Sequence, residues 1–393
     1  MKFPVLGASN DDPGTSAVYN FMASTFGIDW ATLENRRQIP LSEDITLTDL
    51  RVIMDTAPGA GTSRTITVRK NGADTIATIT VSDAATSGSW SGSVSFVAGD
   101  LIGLKTTVTG TPANPVNMYW STFMSTVGNK ALIMGGSPNV APNGAVNYIN
   151  AFGGAAWTTT SADQDSVVPT GGTLTKIAVA TPEGSPGTGK SYAFSMRLNN
   201  TSDVLTATIS DTNTAASATG SQALSAGDTI QLKESPSGTP TQIRAGWCFT
   251  FEPTTGGENI YGFGTATALS TSTTQYEQPL GIGNGYGATE SGRLIKLPAC
   301  TIKKLYVRLS AAPGAGTSRT ITWRDNSAAS SLAVTVSGTN TTGNDTTHSV
   351  THTADQAGDI QSVPTTTPAA ASLHIGYVIA TAQPAESDYG YVY

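Results

Sequence analysis

The strongest constraint on this chain is that it repeats itself. Ala57-Pro58-Gly59-Ala60-Gly61-Thr62-Ser63-Arg64-Thr65-Ile66-Thr67 recurs unchanged as Ala312 to Thr322, an offset of 255. Halfway between stands Pro186-Gly187-Thr188-Gly189-Lys190-Ser191. Other anchors keep this register: Leu47, Leu174 and Ile302; Arg69, Arg197 and Arg324; Gly99-Asp100, Gly227-Asp228 and Gly358-Asp359; Pro40, Pro169 and Pro298. Trp120, Trp247 and Tyr377 fall near the ends of three equal stretches. A period this long is domain-sized, so it implies tandem domains and not a solenoid of short units. The expected modules are 1–127, 128–257 and 258–393.

Each module reads as all-β. Arg64 to Arg69 alternates, with Ile66 and Val68 on one face; Phe194 and Met196, then Ile321 and Trp323, keep that face. Period-2 alternation among β-branched residues marks a strand. Asn71-Gly72 then suits the positive φ values of a type I′ hairpin turn. Further strands are expected at 5–8, 17–23, 32–39, 45–54, 74–81, 93–97, 101–108 and 116–123. Eight or nine strands with Gly-rich turns fit a two-sheet jelly roll; an immunoglobulin-like sandwich has fewer. Helix is nearly absent. Trp30 to Gln38 has helical propensity, but its counterparts from Trp157 and Tyr286 do not, so the repeat predicts a strand there. Connections between modules are short, and three fused sandwiches could close around a pseudo-threefold axis.

Composition removes several functions. Charged residues make up 12% of the chain, about half the usual share, and the net charge is -7 without a basic stripe. That excludes an electrostatic nucleic-acid binder. No apolar run approaches the length of a spanning helix, which argues against a membrane protein. Pro4, Asn10, Asp11 and Asp12 interrupt the N-terminus, so no cleavable signal is expected. Cys248 and Cys300 are either two small buried hydrophobes or a disulfide.

Few motifs invite chemistry. Gly184 to Ser191 satisfies GxxxxGK[ST], but a phosphate loop needs a helix after it, and Tyr192 to Met196 alternates like a strand. Thr62 and Thr317 stand where Lys190 does. A tight loop between strands is the better reading. His348, His352 and His374 lie in the third module alone, and His348 and His352 are too far apart on a strand to chelate. Asn10, Asp11 and Asp12 form either a calcium loop or a solvated turn. No catalytic residue, cofactor or metal is expected. Trp30, Trp157 and Tyr286 recur at one position; they pack between elements, or three rim aromatics stack on glycans with avidity.

The pattern Pro58 to Ser63, the strand ending Arg69-Lys70-Asn71-Gly72, and Ala226-Gly227-Asp228-Thr229-Ile230-Gln231-Leu232 resemble jelly-roll modules of virion surface proteins, especially of tailed phages. They also resemble tumour-necrosis-factor-like jelly rolls, which trimerise. The resemblance implies a non-enzymatic structural component of a virus particle: a capsid decoration, spike or fibre. Its partners would be further copies of itself and other virion proteins, and it would assemble in a host cytoplasm. An extracellular glycan-binding adhesin and a self-assembling filament subunit are the alternatives.

Overall fold

The computed structural model describes residues 1–25, 27–115, 117–154, 157–281 and 285–383. The first third carries β1 (Lys2–Ser9), β2 (Val18–Asn20), β3 (Ile39–Pro40), β4 (Ile45–Met54), β5 (Gly59–Lys70), β6 (Ala73–Asp83), β7 (Ser87–Phe96), β8 (Leu101–Thr109) and β9 (Met118–Ser125). The second repeats them as β10 (Ala131–Gly136), β11 (Asn147–Ile149), β12 (Ser166–Val167), β13 (Gly172–Ala180), β14 (Gly187–Leu198), β15 (Ser202–Asp211), β16 (Ala215–Leu224), β17 (Thr229–Ser237) and β18 (Gly246–Pro253). The third has β19 (Glu258–Ala268), β20 (Gln275–Glu277), β21 (Ile295–Lys296), β22 (Cys300–Leu309), β23 (Gly314–Asp325), β24 (Ala328–Gly338), β25 (Thr342–His352), β26 (Ala357–Thr365) and β27 (Ser372–Ala380).

Each third folds into two facing antiparallel sheets. The orders are β1-β9-β4-β7 and β2-β8-β5-β6 in the first, and the same permutation holds in the others. The short β3, β12 and β21 pair with β8, β17 and β26. This is the double-sheet jelly roll that the strand count and turn chemistry predicted. Alternation drives it: along β4 every second residue from Ile45 is buried up to a bulge at Asp49, after which the pattern resumes at Leu50. The hairpin turn is as expected, with φ of 50° at Asn71 and 83° at Gly72. Among the described residues no helix is long and apolar enough to cross a membrane.

Four expectations need correction. The predicted strand at 32–39 is largely a 3₁₀ turn, Glu34–Arg36, matched by Ser161–Gln164 and Glu290–Gly292. Such turns depend on carbonyls closing three residues back, which leaves no period-2 signature. The third Gly-Asp turn lies elsewhere. Gly99 and Gly227 donate to the carbonyls of Leu41 and Val168, and the residue donating to Leu297 is Asp355, whose φ is 72°. Gly358 and Asp359 lie inside β26.

The prolines do not align either: Pro40 pairs with Leu101, but Val167 and Lys296 occupy that place opposite Thr229 and Ala357. The fourth correction concerns the aromatics. Trp120 and Trp247 are equivalent, each paired opposite a glycine, Gly7 and Gly135. In the third module that pair is Phe263 opposite Ile375, and Tyr377 lies two residues further on, opposite Tyr261. The large residue has changed strands and the ring volume is kept.

Of the strand expected at 116–123, β9 covers 118 onward, and Val116 lies outside the described residues. Residues 384–393 also lie outside them.

Candidate functional site

The sequence offers no catalytic cluster, and the structure concentrates its specific chemistry where the thirds meet. The sandwiches close head to tail. β3 packs on β10, β13 and β18; β12 packs on β19, β22 and β27; β21 packs on β9. Each contact sets the short strand of one sandwich against the four-stranded sheet of the next, so each third touches both others.

The first two junctions match in detail. In β9, β18 and β27 the residues Tyr119, Gly246 and His374 hold one register position, opposite Ile53, Ala180 and Arg308. The Gln38 carbonyl lies so close to Gly246 that no Cβ fits. One junction on, the Asp165 carbonyl occupies the same place and accepts a hydrogen bond from His374 Nδ1 at 2.9 Å. That bond fixes the Nδ1–H tautomer, because a carbonyl only accepts. Burial holds His374 down to about 4, so it is neutral at physiological pH. At the third junction Tyr119 replaces the small or hydrogen-bonding residue, and Arg51 instead pairs with Asp355 at 2.9 Å.

Ion pairs differ among the junctions as well. Glu43 of the first third receives Lys130 and Lys176 of the second, at 3.3 and 2.8 Å. Arg36 and Arg244 share Glu183 across the same junction, at 2.8 and 2.9 Å. At the second junction Thr170 donates to Glu258, which also holds Lys303 and Lys304. Glu258 is buried, so losing its cations would strand a carboxylate.

Apolar residues meet at the centre. Ala23, Phe152 and Leu280, equivalent by their distance from β2, β11 and β20, surround a cavity of about 10 Å³ together with Val5, Leu6, Leu132, Met134 and Tyr261. Tyr261 stacks on Phe152, with ring centroids 6.1 Å apart. Its hydroxyl donates to the Pro4 carbonyl, joining the third module to the first. The cores run across the junctions: Leu132, Met134 and Cys248 belong to the first module's hydrophobic cluster. A void this small has room for about one water at most.

The aromatics singled out from sequence sit against these cores. Trp30 lies 5.8 Å from Trp120 and donates its indole N–H to the Asp11 carbonyl. Trp157 lies 6.2 Å from Trp247 and donates to Asn139. Tyr286 lies 6.2 Å from Phe263, edge to face, and its hydroxyl accepts from Leu373 N–H. All three are partly buried, and each has its polar group hydrogen-bonded to backbone.

The remaining motifs resolve into structure. Gly187 and Gly189 have φ of 99° and 72°, against 100° and 74° at Gly59 and Gly61 and 105° and 73° at Gly314 and Gly316. One turn therefore serves all three, and Lys190 enters β14, a strand where a phosphate loop requires a helix. Asn10, Asp11 and Asp12 accept from Gly27 N–H, Trp30 N–H and Gly14 N–H, as a turn does. His352 accepts from Trp323 Nε1 at 3.0 Å, and His348 pairs with Asp345. Cys248 and Cys300 are both free and buried. Among the described residues no group of three or more His, Cys, Asp or Glu is placed to hold a metal ion.

Sequence reasoning missed the junction residues Gly246, His374 and Tyr119. Their only signal is that they differ at a position the repeat otherwise aligns.

No family model and no curated protein sequence matches this chain. Among solved structures it is similar to a chain from work on the triple jelly roll fold and turret assembly in an archaeal virus. That match has 13% identity and a TM-score of 0.19, and covers 88% of this chain and 82% of that one. A chain from the atomic structure of Sulfolobus turreted icosahedral virus matches at 12% identity and a TM-score of 0.17, with the same coverage. Scores this low describe no shared superposition.

Proposed function

We propose that this chain is a non-enzymatic structural subunit of a virus particle, a decoration, spike or fibre-type component that works in many copies. We divide it at 1–127, 128–257 and 258–393. The observation that carries the reading is the closure of three jelly rolls, head to tail, around a shared apolar centre. One chain thereby presents the outline of a trimer without a subunit equilibrium, a useful property for a part that must be placed whole into a shell. The charge-poor, Ser/Thr/Gly-rich strands fit a surface covered by protein neighbours, whether copies of itself or other virion proteins.

Particles purified from an infected culture would be analysed by mass spectrometry for this chain and its copy number. A fixed, multiple copy number per particle is expected; absence from particles that are otherwise complete would refute the role. The glycan-binding alternative is disfavoured by the packing of the Trp30 and Trp157 rings against Trp120 and Trp247, which leaves both only partly exposed. Electron microscopy of the purified protein would reveal a filament if that alternative held.

A further inference from the structure

We infer that the middle sandwich carries a proton lock, a core carboxyl at Glu234 with no cation beside it, whose ionisation loosens this third of the ring while the first third stays closed. Glu234 lies on β17, on the same face as the core residues Ile230 and Leu232, and is fully buried. Counted from Leu104, Leu232 and Ile360, the equivalent positions are Thr106 and Ser362, also buried but uncharged. A hydroxyl suffices there in the first and third modules.

What faces the position differs too. Its neighbour one strand over is Phe194, and two residues along β14 stands Tyr192. Arg64 and Arg319 hold the place of Tyr192 in the other modules, counted from Ile66, Phe194 and Ile321. Those arginines are buried and donate to carbonyls. The second module thus has an acid where the others have a hydroxyl, and a tyrosine where the others have a cation. Tyr192 directs its hydroxyl to the carbonyls of Ala141 and Thr241, and Asn147 on β11 lies opposite Glu234. No cation pairs with Glu234 among the described residues.

The other strongly buried acids, Asp165, Glu258, Glu277 and Asp359, each have a cation beside them. Glu277 faces Arg293, and Asp359 faces Arg324 and Glu290, yet burial pushes both of these third-module carboxyls up to about 8 as well. Burial without a counter-charge pushes the Glu234 carboxyl up to about 8. The closed module therefore keeps a proton that an opened one releases in the ordinary carboxylate range. Between those limits rising pH favours opening, by up to about tenfold per pH unit. Above about pH 8 both forms are ionised and the dependence levels off.

The test is hydrogen exchange by mass spectrometry on the full chain from pH 6 to 8, corrected for intrinsic exchange rates. Opening of β14 and β17 should increase up to about 100-fold, while β5 and β8 of the first module hold their protection. Glu234→Gln, which keeps the shape without the proton, should flatten the dependence and leave the circular dichroism spectrum unchanged. Equal pH dependence in the first and second modules, or a dependence that persists in Glu234→Gln, would overturn the proposal. Neither result depends on the virion role, which stands or falls on particle composition.

Discussion

Trp120 stands directly opposite Gly7 on paired strands, and its indole fills the space where a Gly7 side chain would be. The same bond anchors the ring twice: Trp120 donates to the Met22 carbonyl and Trp247 to Ala151, both at 2.8 Å. The indole, and not the backbone conformation, is therefore what requires glycine at position 7. Gly7→Ala should destabilise the chain by about 1–3 kcal/mol through overpacking. Chemical denaturation would measure it; an unchanged midpoint would show that the indole can move aside.

The third module offers a reciprocal experiment. Phe263→Gly alone should cost about 3–5 kcal/mol, as large aromatic truncations do. Ile375→Trp alone should also destabilise, because Phe263 already occupies the space. Together they rebuild the arrangement of the first two modules, so the double variant should be more stable than the sum of the singles by at least about 1 kcal/mol. A double-mutant cycle followed by thermal melts checks this; strict additivity would contradict the exchange of roles.

Gly246 tests ring closure separately from core packing. Its missing Cβ lets the Gln38 carbonyl of the neighbouring sandwich approach. Gly246→Val should separate the first and second modules while each sandwich stays folded. Limited proteolysis would then cut near residues 126–130, the link between β9 and β10, with far-ultraviolet circular dichroism unchanged. Resistance equal to wild type would mean the junction tolerates the side chain.

Asp345 predicts acid sensitivity in the third module. Its carboxylate accepts N–H bonds from Ala333, Thr347 and His348 where β25 bulges. These bonds hold it down at about 2, against a desolvation that acts the other way. The stabilisation, about 2 kcal/mol, is present above the ordinary Asp range and is lost as pH falls from about 4 to 2. Asp345→Ala should lose it at pH 7 and be flatter below pH 4, as melting temperatures from pH 2 to 7 would report.

The repeat, the strands and the turns were legible in the sequence because they rest on local chemistry: Asn71-Gly72 needs positive φ, and Ile66 and Val68 need a shared face. The third Gly-Asp turn was misplaced because Asp355 adopts the left-handed conformation that glycine holds at Gly99, and identity alone pointed to Gly358. Phe263 and Ile375 were missed for a related reason: volume is shared across strands that are distant in sequence. The junctions were the least legible. Gly246 and His374 acquire meaning only when Gln38 and Asp165 arrive from other modules, and no local pattern encodes that arrival. Trp30, Trp157 and Tyr286 were recognisable as a recurring set, and their places beside Trp120, Trp247 and Phe263 support the packing reading over the rim one.

A trimer of identical chains must carry every substitution three times, so its three sectors are indistinguishable to whatever it meets. Fusion removes that restriction. Glu183 is shared by Arg36 and Arg244 at the first junction, His374 is bonded to Asp165 at the second, and Arg51 meets Asp355 at the third. Rotating the molecule by a third of a turn therefore does not restore it. A neighbour can bind in one rotational setting and reject the other two, so an outline with threefold shape has an orientation that can be read.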